Sequence, residues 1–94
     1  MENKIFGIGI IGCGLIGQKR ANALGKEGLL VACADIDLKR ATSLARTSNA
    51  KAFEGWQELL KLPEVEIVVV ATLHDSLAEI TLAAIESGKY ILVE

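Results

Sequence analysis

The chain has 94 residues, 51% of them apolar and 23% charged, with a formal net charge of −2. That length allows one domain at most, and the balance is ordinary for a water-soluble globular fold with no basic surface for nucleic acid or anionic lipid. The apolar run from Ile8 to Ile16 is broken by glycines and falls well short of the roughly 20 residues that span a bilayer; no secretory leader is legible either, which leaves the cytoplasm as the expected compartment.

In chain order, Ile5 to Ile11 reads as a strand rich in β-branched residues. Leu15 to Glu27 reads as a helix stopped by Gly28, with Ala21 and Ala23 small enough for close helix–sheet contact. Leu29 to Asp35 is a second, nearly all-apolar strand. Asp37 is placed to cap a helix from Leu38 to about Ser48, where Ala41 and Leu44 share a face. Ala50 to Phe53 is a short third strand, and Gly55 opens a brief helix through Trp56, Leu59 and Leu60, closed off near Pro63. Val65 to Ala71 holds the continuous apolar run Ile67-Val68-Val69-Val70, the mark of a strand covered on both faces. Ser76-Leu77-Ala78-Glu79 fits a capping box for a helix that runs to Ser87 and ends at Gly88. Tyr90 to Val93 is the fifth strand.

Alternation of this kind predicts an α/β fold with a doubly wound parallel sheet of strand order 3-2-1-4-5. A full doubly wound nucleotide domain carries about six strands. The whole chain, residues 1–94, is therefore expected to be part of such a domain, ending before its sixth strand and before any second domain.

The chemistry starts at Gly12-Cys13-Gly14-Leu15-Ile16-Gly17. The pattern G-x-G-x-x-G is weak alone, but here it follows a strand and opens a helix, the setting in which it binds a pyrophosphate. Gly12 permits the tight turn, Gly14 leaves room for the phosphates, and Gly17 lets the helix pack against the strand. Leu15 and Ile16 supply amides and apolar packing at the positive end of the helix. The bland alternative is a tight turn without a ligand. Asp35, at the end of the second strand, is placed to accept hydrogen bonds from the adenosine ribose and to repel a 2′-phosphate, which favours NAD over NADP. Asp37 is a competing carboxylate better suited to a helix cap, and Lys39 and Arg40 lie close enough to attract a 2′-phosphate. The cysteines Cys13 and Cys33 and the single histidine lack metal-site spacing, so the thiols read as small reduced apolar residues. The pairs Lys19-Arg20 and Lys39-Arg40 read as solvated helix faces.

The stretch from Gly9 to Gly17 resembles the opening of the Gfo/Idh/MocA oxidoreductases. Further blocks fall in register: Ala34-Asp35, Gly55-Trp56-Gln57-Glu58-Leu59-Leu60, Pro63 to Thr72, and Ala84 to Glu94. The resemblance covers the chain and is most specific in its last two blocks. It implies a two-domain enzyme: a Rossmann domain for the nicotinamide cofactor, and a second α/β domain that forms most of the substrate site. Such enzymes interconvert a secondary hydroxyl and a ketone on a sugar or cyclitol. By the same resemblance Glu94 would begin the Glu-Lys-Pro motif, whose lysine assists proton transfer. None of the catalytic residues would then lie within the chain, which alone would be inactive. The family's usual Thr-Pro-Asn, with a histidine three residues later, is replaced here by Thr72-Leu73-His74 and Leu77.

Thr72, Leu73 and His74 follow the fourth strand, where ligands of open α/β sheets bind, so the nicotinamide half of the cofactor is expected to pass them. His74 is either a cofactor or substrate contact or an exposed loop histidine. Glu94 is either a cofactor-ribose contact or a frayed terminal residue, and Trp56 is either core or an adenine contact. No metal is implied. The partners expected are the dinucleotide, a polyol or sugar substrate, and further copies of the chain, with neither nucleic acid nor membrane. Two other readings stand beside the dehydrogenase. One is a non-catalytic nucleotide sensor on the same fold, distinguished by the residue that follows Glu94. The other is an S-adenosylmethionine methyltransferase, against which the C-terminal blocks argue.

Overall fold

The runs Ile8–Ile11 and Ile67–Val70 have no polar position to turn toward water, so both of their faces must be covered. The computed structural model describes residues 4–72 and 74–94, with the backbone alone at His74. The strands are β1 (Phe6–Ile11), β2 (Gly28–Ala34), β3 (Lys51–Phe53), β4 (Ile67–Val70) and β5 (Tyr90–Val93). The helices are α1 (Leu15–Asn22), α2 (Leu38–Arg46), α3 (Trp56–Leu60) and α4 (His74–Glu86). The strands form one sheet in the order β3-β2-β1-β4-β5, with each neighbouring pair parallel. The doubly wound topology expected from the alternation is the one observed.

The two faces of the sheet bury different residues. On one, Ile8, Ile10, Leu30, Cys33 and Val69 meet Ala41, Leu44 and Ala45 of α2, with Ala21 of α1 packed alongside. On the other, Ile11, Ala32, Ala34, Val68 and Val70 meet Leu59 and Leu60 of α3 and Ile80 and Ala84 of α4. Alternate side chains of β1 and β4 thus go to opposite covers, as the period of two requires. One register shift, between Ile8 and Gly9 of β1, gives β2 an extra residue at Val31, so Ile8 pairs with Leu30 but Gly9 with Ala32. Both cysteines are free and buried in the α1/α2 core, as small apolar residues.

Several boundaries differ from the sequence reading. The first helix ends at Asn22 rather than Glu27, because Gly25 takes a left-handed φ of 68° and only a 3-10 turn follows, at Gly25–Glu27. Gly28 is therefore no terminator: it is extended, at φ −124°, and begins β2. Ala23 lies past the helix and is exposed, leaving Ala21 alone to pack inward. β4 is shorter than expected, since Val65 is drawn into the α3/α4 core before the strand pairing starts. The capping box at Ser76 does not form, because α4 already begins at His74 and places Ser76 within its first turn. Asp75, also in that turn, suits the positive end of the helix. Asp37 caps α2 as expected, its carboxylate accepting from the Lys39 amide at 3.0 Å. Gly55 caps α3, and Gly88 ends the α4 segment at φ 75°.

Candidate functional site: the glycine loop and its carboxylate

The sheet pairing runs one residue beyond each strand at the C-terminal edge and pins the loops there. Gly12 N–H donates to Ala34 O at 2.8 Å, Ala71 N–H to Ile11 O at 2.8 Å, Asp35 N–H to Phe53 O at 3.1 Å, and Glu94 N–H to Val70 O at 3.0 Å. Gly12, Asp35, Thr72 and Glu94 are thereby brought to one edge from four different strands. Thr72 is half-buried there. Leu73 lies outside the described residues, as does the side chain of His74, whose backbone opens α4.

The three glycines of the loop are needed for different physical reasons. Gly12 sits at φ 96°, and a Cβ there would lie 2.5 Å from Ala71 O. A Cβ on Gly17 would lie 2.0 Å from Gly12 O, so helix and loop touch backbone to backbone. At Gly14 a Cβ would meet no atom within 4 Å, so the space above that residue is open. Gly14 is the N-cap of α1 and offers no side chain to cap it, and no acidic residue occupies the first turn. The first amides of a helix lack intrahelical acceptors, so Leu15, Ile16 and Gly17 present donors at the positive end of α1. Both Leu15 and Ile16 leave their side chains exposed.

Asp35 follows β2 and is half-buried against this loop. Its Oδ2 accepts from the Cys13 amide at 2.7 Å and its Oδ1 from the Asp37 amide at 2.8 Å. A carboxylate has about four lone-pair sites, so two remain for a ligand. Cys13 itself is fully buried. The neighbouring Cys33 thiol, together with burial, pushes the Cys13 thiol above the ordinary thiol range and keeps it protonated. The Cys13 thiol donates to Ala34 O, with its Sγ 3.4 Å away.

A cleft of about 210 Å³ opens beside the loop, lined by Gly12, Asp35, Ile36, Trp56, Thr72 and Ser76 among others. Two of these were not legible as site residues. Ile36 is 91% exposed next to Asp35; its place one residue beyond a strand end was the available signal. Ser76 lines the cleft from the first turn of α4. Trp56 packs on the α3/α4 core, one of the two roles weighed for it, and also lines the cleft. Glu94 is held at both backbone and side chain, its Oε1 accepting from Arg20 Nη2 at 2.6 Å.

Open amides at a strand–helix junction, beside a carboxylate on the next strand, define a dinucleotide-binding doubly wound domain. Residues 6–94 match the oxidoreductase family with an NAD-binding Rossmann fold, the Gfo/Idh/MocA family, and the chain belongs to it. It is 34% identical over 90 residues to inositol 2-dehydrogenase 3 of Saccharopolyspora erythraea, which covers 93% of this chain and 27% of that protein. Among solved structures it resembles myo-inositol dehydrogenase from Lactobacillus casei in complex with NAD(H) and myo-inositol. There the TM-score is 0.88 at 26% identity, over 95% of this chain and 28% of that one. It also resembles a 3-ketoreductase from Actinomadura kijaniata in complex with TDP-benzene and NADP, with a TM-score of 0.86 at 25% identity, over 96% of this chain and 30% of that one. The chain thus spans about a quarter of the length of these relatives. No helix among the described residues is long and apolar enough to cross a membrane.

Proposed function

We propose that the chain binds NAD in preference to NADP, as the cofactor-binding part of a dehydrogenase that interconverts a secondary hydroxyl and a ketone on a polyol or sugar. The observation that carries this reading is the open space over Gly14 above uncapped α1 amides, with Asp35 beside it. In this reading the pyrophosphate rests on the amides of Gly14, Leu15, Ile16 and Gly17, where Gly12 keeps the turn tight. The adenosine ribose takes the two remaining acceptor sites of Asp35. Ile36 and Trp56 give the cleft its apolar walls for the adenine ring. Thr72 and Glu94 stand along the nicotinamide half, to which the sequence also assigns Leu73 and His74.

The preference for NAD follows from charge. Asp35 lines the cleft at the ribose end, and Asp37 follows two residues on as the cap of α2. Arg40, in the first turn of α2, has its Nε 3.8 Å from Asp37 Oδ2 and is partly neutralised by it. The Asp35 carboxylate would repel a 2′-phosphate on the ribose it holds. When bound, the nicotinamide supplies the hydride acceptor or donor. The residues of this chain bind and orient it, and the proton-transfer groups are assigned to the rest of a two-domain enzyme. A fluorescence titration with NADH and NADPH tests the reading: NADH is expected to bind at least tenfold more tightly. Equal or reversed affinities would remove the NAD preference, and failure of both to bind would remove the cofactor site.

A further inference from the structure

Arg20 and Glu94 are 74 positions apart in the chain, yet the guanidinium Nη2 lies 2.6 Å from the carboxylate Oε1. Their backbones are fixed independently, Arg20 by α1 and Glu94 by its amide bond to Val70 O at 3.0 Å. The pair links the last turn of α1 to the end of β5, and Glu94 lies at the same edge of the sheet as the open loop. The side chains are 49% and 26% exposed, and ion pairs in such settings add little to stability. Their charge matters more to what approaches. A bare carboxylate at this edge would oppose an anionic ligand arriving at the α1 amides.

We infer that Arg20 is a positioning residue for the cofactor: it neutralises the Glu94 carboxylate and holds it to one side, so that this edge accepts a doubly charged pyrophosphate. Among the described residues Glu94 Oε2 has no hydrogen-bond partner and can accept from a hydroxyl. The inference rests on the dinucleotide reading above and adds the residue that balances charge at the nicotinamide end.

The test is a set of NADH titrations on the wild-type protein, Arg20→Ala, Arg20→Lys, Glu94→Gln and the double variant Arg20→Ala/Glu94→Gln, at low and at moderate salt. Arg20→Ala is expected to bind about three- to tenfold more weakly at low salt, with the loss shrinking as salt screens the exposed carboxylate. Arg20→Lys should stay close to wild type. The double variant should recover to within about twofold of Glu94→Gln, because the unbalanced charge is gone. Arg20→Met serves the same purpose if the alanine variant folds poorly. Wild-type affinity in Arg20→Ala overturns the inference. So does a double variant as weak as Arg20→Ala, which would make Arg20 a direct phosphate ligand. Either result leaves the dinucleotide site standing, whereas a wild-type protein that does not bind NADH overturns the site and the inference together.

Discussion

The carboxylate of Asp35 and the backbone amide of Cys13 are joined by a 2.7 Å hydrogen bond that ties the glycine loop to the end of β2. One side chain therefore shapes the loop that would hold the phosphates and faces the place where the ribose would sit. An exchange to asparagine tests both roles. The new amide nitrogen must face either the Cys13 or the Asp37 N–H, setting donor against donor. Asp35→Asn is expected to cost about 1–2 kcal/mol in chemical unfolding and to reduce the NADH over NADPH preference in the same preparation. Unchanged stability would show that the loop does not depend on this bond.

The glycines of the loop separate folding from binding. Gly14→Ala adds a methyl group to open space at a φ of −76°, ordinary for alanine. Its unfolding free energy should stay within about 1 kcal/mol of wild type, while NADH affinity falls at least tenfold. Gly17→Ala drives a methyl group to 2.0 Å from Gly12 O and should cost about 3 kcal/mol or more. Urea melts and NADH titrations on both variants read the difference. Equal effects on folding at the two positions would contradict the geometry.

Acid should act on the end of the sheet far from the site. The Lys4 ammonium, 2.8 Å away, and the Gly7 amide, at 3.0 Å, hold Glu66 below its ordinary value of 4.5. A depressed carboxylate contributes stability that is present above that ordinary value and is lost as pH falls through the lowered one. The thermal midpoint should therefore fall with acidification in that window. Glu66→Gln should make the fall shallower, since it has no charge to lose. A pH profile with the same slope in the variant would assign the acid sensitivity to other groups.

Association is expected through β5. Tyr90 and Leu92 lie on one face of this edge strand and are 74% and 58% exposed, with no helix of the described residues packed over them. An exposed apolar edge strand is a template for pairing. Sedimentation of the chain at rising concentration should show self-association, reduced in Leu92→Lys. A single monomeric species across the range would mean that this face is tolerated in water.

How much was legible in the sequence can be traced residue by residue. The alternating order of strands and helices was plain, because Ile67–Val70 and Ile8–Ile11 cannot be half-exposed. Gly12, Gly14, Gly17 and Asp35 were found by spacing, and Asp37 by its capping chemistry. The missed boundaries have local causes. Gly25, rather than Gly28, took the left-handed turn, and no sequence pattern distinguished two glycines three residues apart. Ser76 had the letters of a cap, but α4 had already started at His74.

What the sequence determined by itself was the path of the chain, because burial periodicity and glycine placement are written in consecutive residues. Tertiary structure alone decided which distant groups share an edge. The Arg20–Glu94 pair, the cleft formed by Ile36, Trp56 and Ser76, and the binding of Asp35 to the Cys13 amide all join residues from different elements. Such contacts depend on strand order and on the register shift at Val31. Both are settled by how two faces of one sheet are filled at once, which no single stretch of sequence contains.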